Sequence, residues 1–329
     1  MKRKIIKQGH NTLTITLPSE WVKRFNLKAG KEIDLTEREN GLFISTQKNG
    51  DSKRAEFNIT GLDIPTIWKY FMAIYREGYT EALVKFEPNS TLENPYKFYT
   101  PHKLDSRYKK ETEKRPIIEI LQGFTSRFIG FEIIEHGKDF ILIKEMGELT
   151  SKEFDNSLRR IFLIIQQMSE ETLQAITTNN PSILNHMHDI DINLDKFHDY
   201  CIRILNRIGN KEPRKASLLQ TLLFFLELIG DEFKNLSIHL IQDFPKAKFK
   251  NIEESASAIK EQLDLFYEIF YKFDTEKMER IAKIDQKRNI TMKETYMKAN
   301  EDEKEVLHHI RVVSRYINTL LELRIEMEF

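Results

Sequence analysis

The chain has 329 residues, 51 Lys and Arg against 51 Asp and Glu, a formal net charge of +0 and a single cysteine, Cys201. That length predicts two or three domains, and the absence of any run of ~18 apolar residues excludes a helical membrane span. One cysteine excludes an internal disulfide or a thiolate zinc site, and MKRK is followed by a polar strand rather than an apolar signal region, so a cytoplasmic protein is expected.

The chain opens on a basic stretch. Lys2, Arg3, Lys4, Lys7, Lys23, Arg24, Lys28 and Lys31 stand against one acid, Glu20, a net of +7, and the remainder of the chain balances it. Leu13, Ile15 and Leu17 alternate with Thr12, Thr14 and Thr16, the period of a half-buried strand. Pro18 ends that strand and opens a short helix whose apolar face is Trp21, Val22 and Phe25, with Lys23 and Arg24 beside it toward solvent. Gly30 permits a left-handed turn, and Ile33, Leu35, Leu42 and Ile44 flank a loop at Asn40 and Gly41 as two short strands. A unit this small rarely stabilises a monomer, which implies a second copy, and its basic excess implies a polyanion.

The order Gly9, a polar run, TLTITLP, Trp21 and the LKAG turn ahead of a final hairpin resembles the AbrB/MazE/SpoVT family of swapped-hairpin DNA-binding domains. The resemblance covers residues 1–47 and implies an intertwined homodimeric β-barrel that presents hairpin and helix residues to DNA. Carried over by position, the contacts are Arg3, Lys4, Lys7, Lys23 and Arg24. Thr14 stands where many relatives place a basic residue. The other reading is that these are solvated lysines and arginines in a domain whose role is oligomerisation.

Residues 47–54 have linker composition. A small α/β module over 55–147 then reads strand (56–59), helix (63–77) and strand (81–86), with Asp63 as the helix cap and Pro65 in its first turn. Residues 87–116 carry four prolines and the run RYKKETEKR, which predicts a long excursion. A helix over 117–128 and strands over 130–135 and 139–145 around Gly137 complete the module, whose role is either structural or the binding of a small ligand.

From 150 to 329 glycine and proline are scarce and apolar residues recur every three or four positions, predicting an all-α bundle of about six helices opened by a Thr150–Glu153 capping box. The run LELIGDEFKN places Glu227 and Asp231 on one helical face, and DINLD does the same for Asp191 and Asp195. Like charges at that spacing repel by a few tenths of a kcal/mol (~0.2–0.5), so they need a cation or a basic partner. His186, His188, His198 and His239 lack ligand spacing and read as surface residues. Cys201 reads as a small buried residue.

The helical half resembles the PhoU family of phosphate-uptake regulators, whose two three-helix repeats carry acidic motifs that bind metal. The resemblance implies a divalent metal or iron site at Asp191, Asp195, Glu227 and Asp231. Laying the second repeat on the first aligns Asn318 with Asn235, so Ile310 and Ser314 replace the second acidic pair, while Asp285 and Asn289 stand where the first repeat has Asp191 and Asp195. The other reading is that the acids are solvated or paired with Lys and Arg.

The whole is a multidomain α+β chain resembling an archaeal arrangement, an AbrB-type domain fused to a PhoU-like bundle. That arrangement implies a homodimeric transcriptional regulator of phosphate uptake with DNA as partner. Two alternatives stand beside it: an adaptor for a transporter or signalling kinase, and an antitoxin-like protein. No nucleophile with its base, no metal-water motif and no cofactor loop is visible, so no catalytic residue and no enzymatic activity is expected.

Overall fold

A computed structural model describes residues 2–9, 12–38, 41–45, 53–93, 114–147, 149–209, 213–243 and 250–329. The chain divides into two compact units, 1–51 and 52–329. The loop expected at Asn40, the linker over 47–54 and the excursion over 87–116 lie wholly or partly outside the described residues.

In the first unit, β1 (Ile6–Gln8) pairs antiparallel with β2 (Thr12–Thr14), and α1 (Ser19–Arg24) follows directly on Pro18. Gly30 closes the turn after it at φ +87°, a conformation that only glycine adopts without strain. β3 (Asp34–Arg38) and β4 (Gly41–Ser45) form a second antiparallel ladder with Leu35 opposite Ile44. The two ladders stay separate, so no closed barrel forms among the described residues of a single chain. Two-stranded ladders of this kind are at best marginally stable alone.

The second unit begins with β5 (Arg54–Asn58), α2 (Ile64–Arg76) and β6 (Glu81–Lys85), the two strands parallel and α2 the crossover between them. Asp63 caps α2 by accepting from the Thr66 N–H at 2.9 Å. β7 (Thr91–Glu93) and β8 (Lys114–Pro116) pair antiparallel and close the base of the excursion. α3 (Ile117–Thr125) leads to β9 (Phe131–His136) and β10 (Phe140–Glu145), giving the sheet order β5-β6-β10-β9. Trp68, Phe71, Tyr75, Phe124, Phe128 and Phe131 fill the space between sheet and helices in edge and stacked contacts of 4.6–6.5 Å.

Six α-helices follow among the described residues: α4 (Ser151–Thr178), α5 (Met187–Ile208), α6 (Pro213–Asp243), α7 (Lys250–Tyr271), α8 (Thr275–Tyr296) and α9 (Glu301–Glu326). The Thr150–Glu153 capping box starts α4, and Asn300 with Glu303 repeats the device at α9. α4 packs on α5 and α6, α7 packs on α8 and α9, and the two halves meet along α4–α7 and α6–α9. α5 also packs on α2, so the α/β module and the bundle share one compact unit.

Candidate functional site

Arg3, Lys4, Lys7, Lys23 and Arg24 are all exposed. Lys23 and Arg24 fall in the last turn of α1, and Trp21 and Phe25 of that segment hold each other at 5.6 Å between ring centres. Lys7 stands opposite Leu13 in the first hairpin and therefore shares its face. No residue of this unit whose side chain is described is buried, while Ile6, Leu13, Ile15, Leu35 and Leu42 are 49–67% exposed. Apolar side chains that alternate correctly for a core therefore lack a core among the described side chains of this unit.

The second candidate is a ridge along α5. Asp191, Asp195, Asp199, Arg203 and Arg207 recur at every fourth position, which aligns them as one ridge of the helix. Acids occupy its N-terminal half and arginines its C-terminal half, the arrangement that the helix dipole favours. Asp195 accepts from Arg127, just after α3, at 2.9 Å. Asp199 accepts from Nε of Arg76, on α2, at 2.6 Å. Arg203, 0% exposed, donates to the carbonyls of Tyr75 and Tyr79 at 2.7 and 2.8 Å and to Glu145 at 2.7 Å. Arg207 reaches the other Glu145 oxygen at 3.1 Å. The Arg203 guanidinium also lies against the mutually perpendicular rings of Tyr75 and Phe131, at 4.8 and 4.7 Å from their centres, so its charge meets aromatic rings as well as acceptors.

Gly230 explains how α6 joins this ridge. A Cβ there would stand 2.0 Å from Leu194 Cδ2, so the buried Leu194 side chain holds its place only against a glycine. Leu194 lies between Asp191 and Asp195, and Gly230 between Glu227 and Asp231. The crossing thus converges the four acids identified in the sequence. Lys234, one turn further along α6, donates to Asp191 Oδ2 at 2.8 Å and to Asp231.

Burial raises the Asp191 pKa against the pull of Lys234. Burial and then the Asp191 charge push Asp195 up to about 8. Burial and then Asp231 push Glu227 up to about 7. Burial works against the Lys234 charge, yet Asp191 and Asp231 hold it above the ordinary lysine range. The Asp191 and Asp231 carboxylates are turned to Lys234 and that of Asp195 to Arg127, and among the described residues no three Asp, Glu, His or Cys are grouped to hold a metal ion. As arranged, the acids do not fit a divalent metal: the Lys234 ammonium stands between Asp191 and Asp231, and Arg127 holds Asp195.

The second half of the bundle repeats the device. Asp285 on α8 accepts from Arg288 and from Ser314 of α9, each at 2.6 Å, and Arg288 donates to Ser314 at 2.7 Å and Asn289 at 3.0 Å. These hydrogen bonds hold the Asp285 carboxyl below the usual range despite its burial. Position for position, Asp285, Asn289 and Ser314 come together as Asp191, Asp195 and Asp231 do, with Arg288 as the internal cation.

His198 is 1% exposed and not a surface residue, because it sits on the α5 face turned to Phe224 of α6, 5.2 Å between ring centres. Cys201 is buried, and burial raises its thiol pKa, which leaves it inert. Asp199, Arg203, Arg207, Lys234 and Arg288 were not singled out from the sequence. The four-residue period on α5 was a usable signal for the first three.

The comparison with protein families matches residues 6–52 to a family described as antidote-toxin recognition MazE, bacterial antitoxin. No curated protein and no solved structure matches the chain significantly. No helix among the described residues is long and apolar enough to cross a membrane. The N-terminal unit is therefore similar to a MazE-type domain, and residues 53–329 are characterised by their own geometry.

Proposed function

We propose that the protein is a homodimeric DNA-binding transcriptional regulator acting in the cytoplasm, with the helical bundle as its sensor. The observation that carries this reading is the first unit, which exposes Ile6, Leu13, Ile15, Leu35 and Leu42, buries none of its described side chains, and sets Arg3, Lys4, Lys7, Lys23 and Arg24 in solvent. A second copy covering the apolar residues leaves a basic surface suited to phosphates. The match of residues 6–52 to a MazE family supports both the dimer and the DNA. The two three-helix halves, each with its polar cluster, support the PhoU-like reading and with it a role in phosphate uptake. No catalytic role is proposed. The family description favours one second reading, an antitoxin-like protein that neutralises a partner protein.

The test is salt-dependent binding of the full chain to duplexes from its own promoter region. Each phosphate contact contributes about 0.9 to the slope of log affinity against log salt. Lys23→Ala with Arg24→Ala removes up to four contacts in a dimer, flattening the slope by roughly 3 to 4 and weakening binding to all sequences alike. Unchanged slope and affinity refute the DNA reading, and tight capture of the product of a neighbouring gene in the absence of DNA favours the antitoxin.

A further inference from the structure

The sheet of the α/β module has one face on its helices and one toward solvent. α2 lies on the first, where Phe57 meets Tyr70 and Phe71 and where Ala82, Val84, Ile141 and Ile143 are buried. Alternation turns the intervening residues of the four strands to the other face. There β6 and β10 set Leu83 opposite Leu142, with Phe140 two positions away on β10, all three half-buried, while Glu56, Lys85 and Lys144 beside them are about half exposed. A solvated sheet face is ordinarily polar, and a contiguous apolar centre inside a charged rim is the composition of a contact surface.

The charges on this face match a second copy of it. One row of the register crosses the sheet as Arg54, Glu81, Lys144 and Glu132, alternating in sign from β5 to β9. A two-fold axis parallel to the strands reverses the strand order of a second sheet laid face to face and keeps each row on itself. Arg54 then meets the partner's Glu132, Glu81 the partner's Lys144, Leu83 the partner's Leu142 and Lys85 the partner's Phe140. One like-charged meeting, Glu56 with the partner's Glu135, falls on the rim, where Lys85 of its own chain already holds Glu56 at 2.5 Å.

We propose that this face is a second contact between the two copies of the dimer, sheet on sheet about that axis. The proposal rests on the dimer reading, in which the N-terminal units supply the first contact. Four strands about five residues long cover roughly 19 by 17 Å, so the two faces together bury on the order of 600 Å², about half of what a stable interface needs. The contact therefore forms only between copies already joined. In each chain only residues 46–53 separate β4 from β5, a tether short enough to raise the second sheet's effective concentration to about the millimolar range.

The experiment co-expresses the full chain as Arg54→Cys and as Glu132→Cys, treats the mixed dimers with a short bismaleimide, and sediments the same samples. Cys201 is buried and does not compete. In a mixed dimer the two new thiols face each other, whereas in a dimer of either variant alone they stand three strand spacings apart, about 14 Å sideways. Covalent dimer is expected from the mixture and not from either variant alone, and Leu142→Asp in both chains abolishes it while sedimentation still reads a dimer. Should Leu142→Asp not fold, the mixed and unmixed samples decide. A dimer without the mixed cross-link, or with equal cross-linking in the unmixed variants, overturns the sheet contact and leaves the dimer reading standing. A cross-link that survives Leu142→Asp overturns it as well, and so does one between Arg54→Cys and Lys283→Cys, a 77% exposed position on α8 that lies outside the contact. A monomer at micromolar concentration overturns both readings.

Discussion

The two units of this chain solve the same problem in opposite ways. Residues 1–51 have correct strand alternation and a correct turn, yet no described side chain there is buried. Residues 52–329 bury a continuous core from Ile59 to Leu323 and also a guanidinium, Arg203, fully satisfied by two carbonyls, a carboxylate and two aromatic rings. Amphipathic patterning is thus a statement about which face needs covering and says nothing about who covers it. In the larger unit the chain covers itself; in the smaller one the cover must come from outside.

The largest effect that breaks or sharpens this contrast is on association. Leu13→Asp places a charge on the exposed apolar face and abolishes self-association of the full chain by sedimentation, while unfolding of residues 52–329 is unchanged. A fragment of residues 1–51 melts with a concentration-dependent midpoint, because dimer stability contains the protomer concentration. A folded monomer of that fragment at micromolar concentration erases the contrast between the units.

Next in size is Arg203→Met, which leaves Glu145 and the carbonyls of Tyr75, in the last turn of α2, and Tyr79, just beyond it, without their buried donor. Loss of one partner of such a group costs about 3–5 kcal/mol, read as a lowered denaturant midpoint. Glu145→Gln in the same background costs less than it does alone, since the two share one network. Additive losses would mean that Arg203 acts only through its carbonyl and ring contacts.

The smallest effect distinguishes two glycines within the larger unit. Gly230→Ala gains helix propensity but drives a Cβ into Leu194, and an overpacking cost of about 1–3 kcal/mol outweighs the roughly 1 kcal/mol gained. Gly123→Ala in α3 meets nothing within 4 Å and stabilises by about 0.5–1 kcal/mol. Equal effects at the two sites would mean that α5 and α6 do not cross closely at Gly230.

Local signals in the sequence carried much of the fold. Asp63 and Pro65 marked the start of α2, Thr150 with Glu153 marked α4, and the turn at Gly137 closes with its N–H donating to the Phe140 carbonyl at 2.8 Å. Each depends on residues at most a few positions apart, so each is written in a short window. The convergence of Asp191, Asp195, Glu227 and Asp231 was half legible, as pairs on two helices that need a counter-charge.

The identity of that counter-charge was not. Lys234 reaches Asp191 over 43 positions, Arg127 reaches Asp195 over 68, and Arg203 reaches the carbonyl of Tyr75 over 128. Helical period fixes which side chains share a face, because that is set by backbone geometry alone. Which face meets which is set by how the helices cross, and here a missing Cβ at Gly230 and a buried guanidinium at Arg203 decide it. The sequence by itself determined the elements, the apolar faces and the basic N-terminus; only the tertiary structure decided that Lys234 and Arg127 are the cations that meet the acids of the bundle and that the described side chains of the first unit form no buried core of their own.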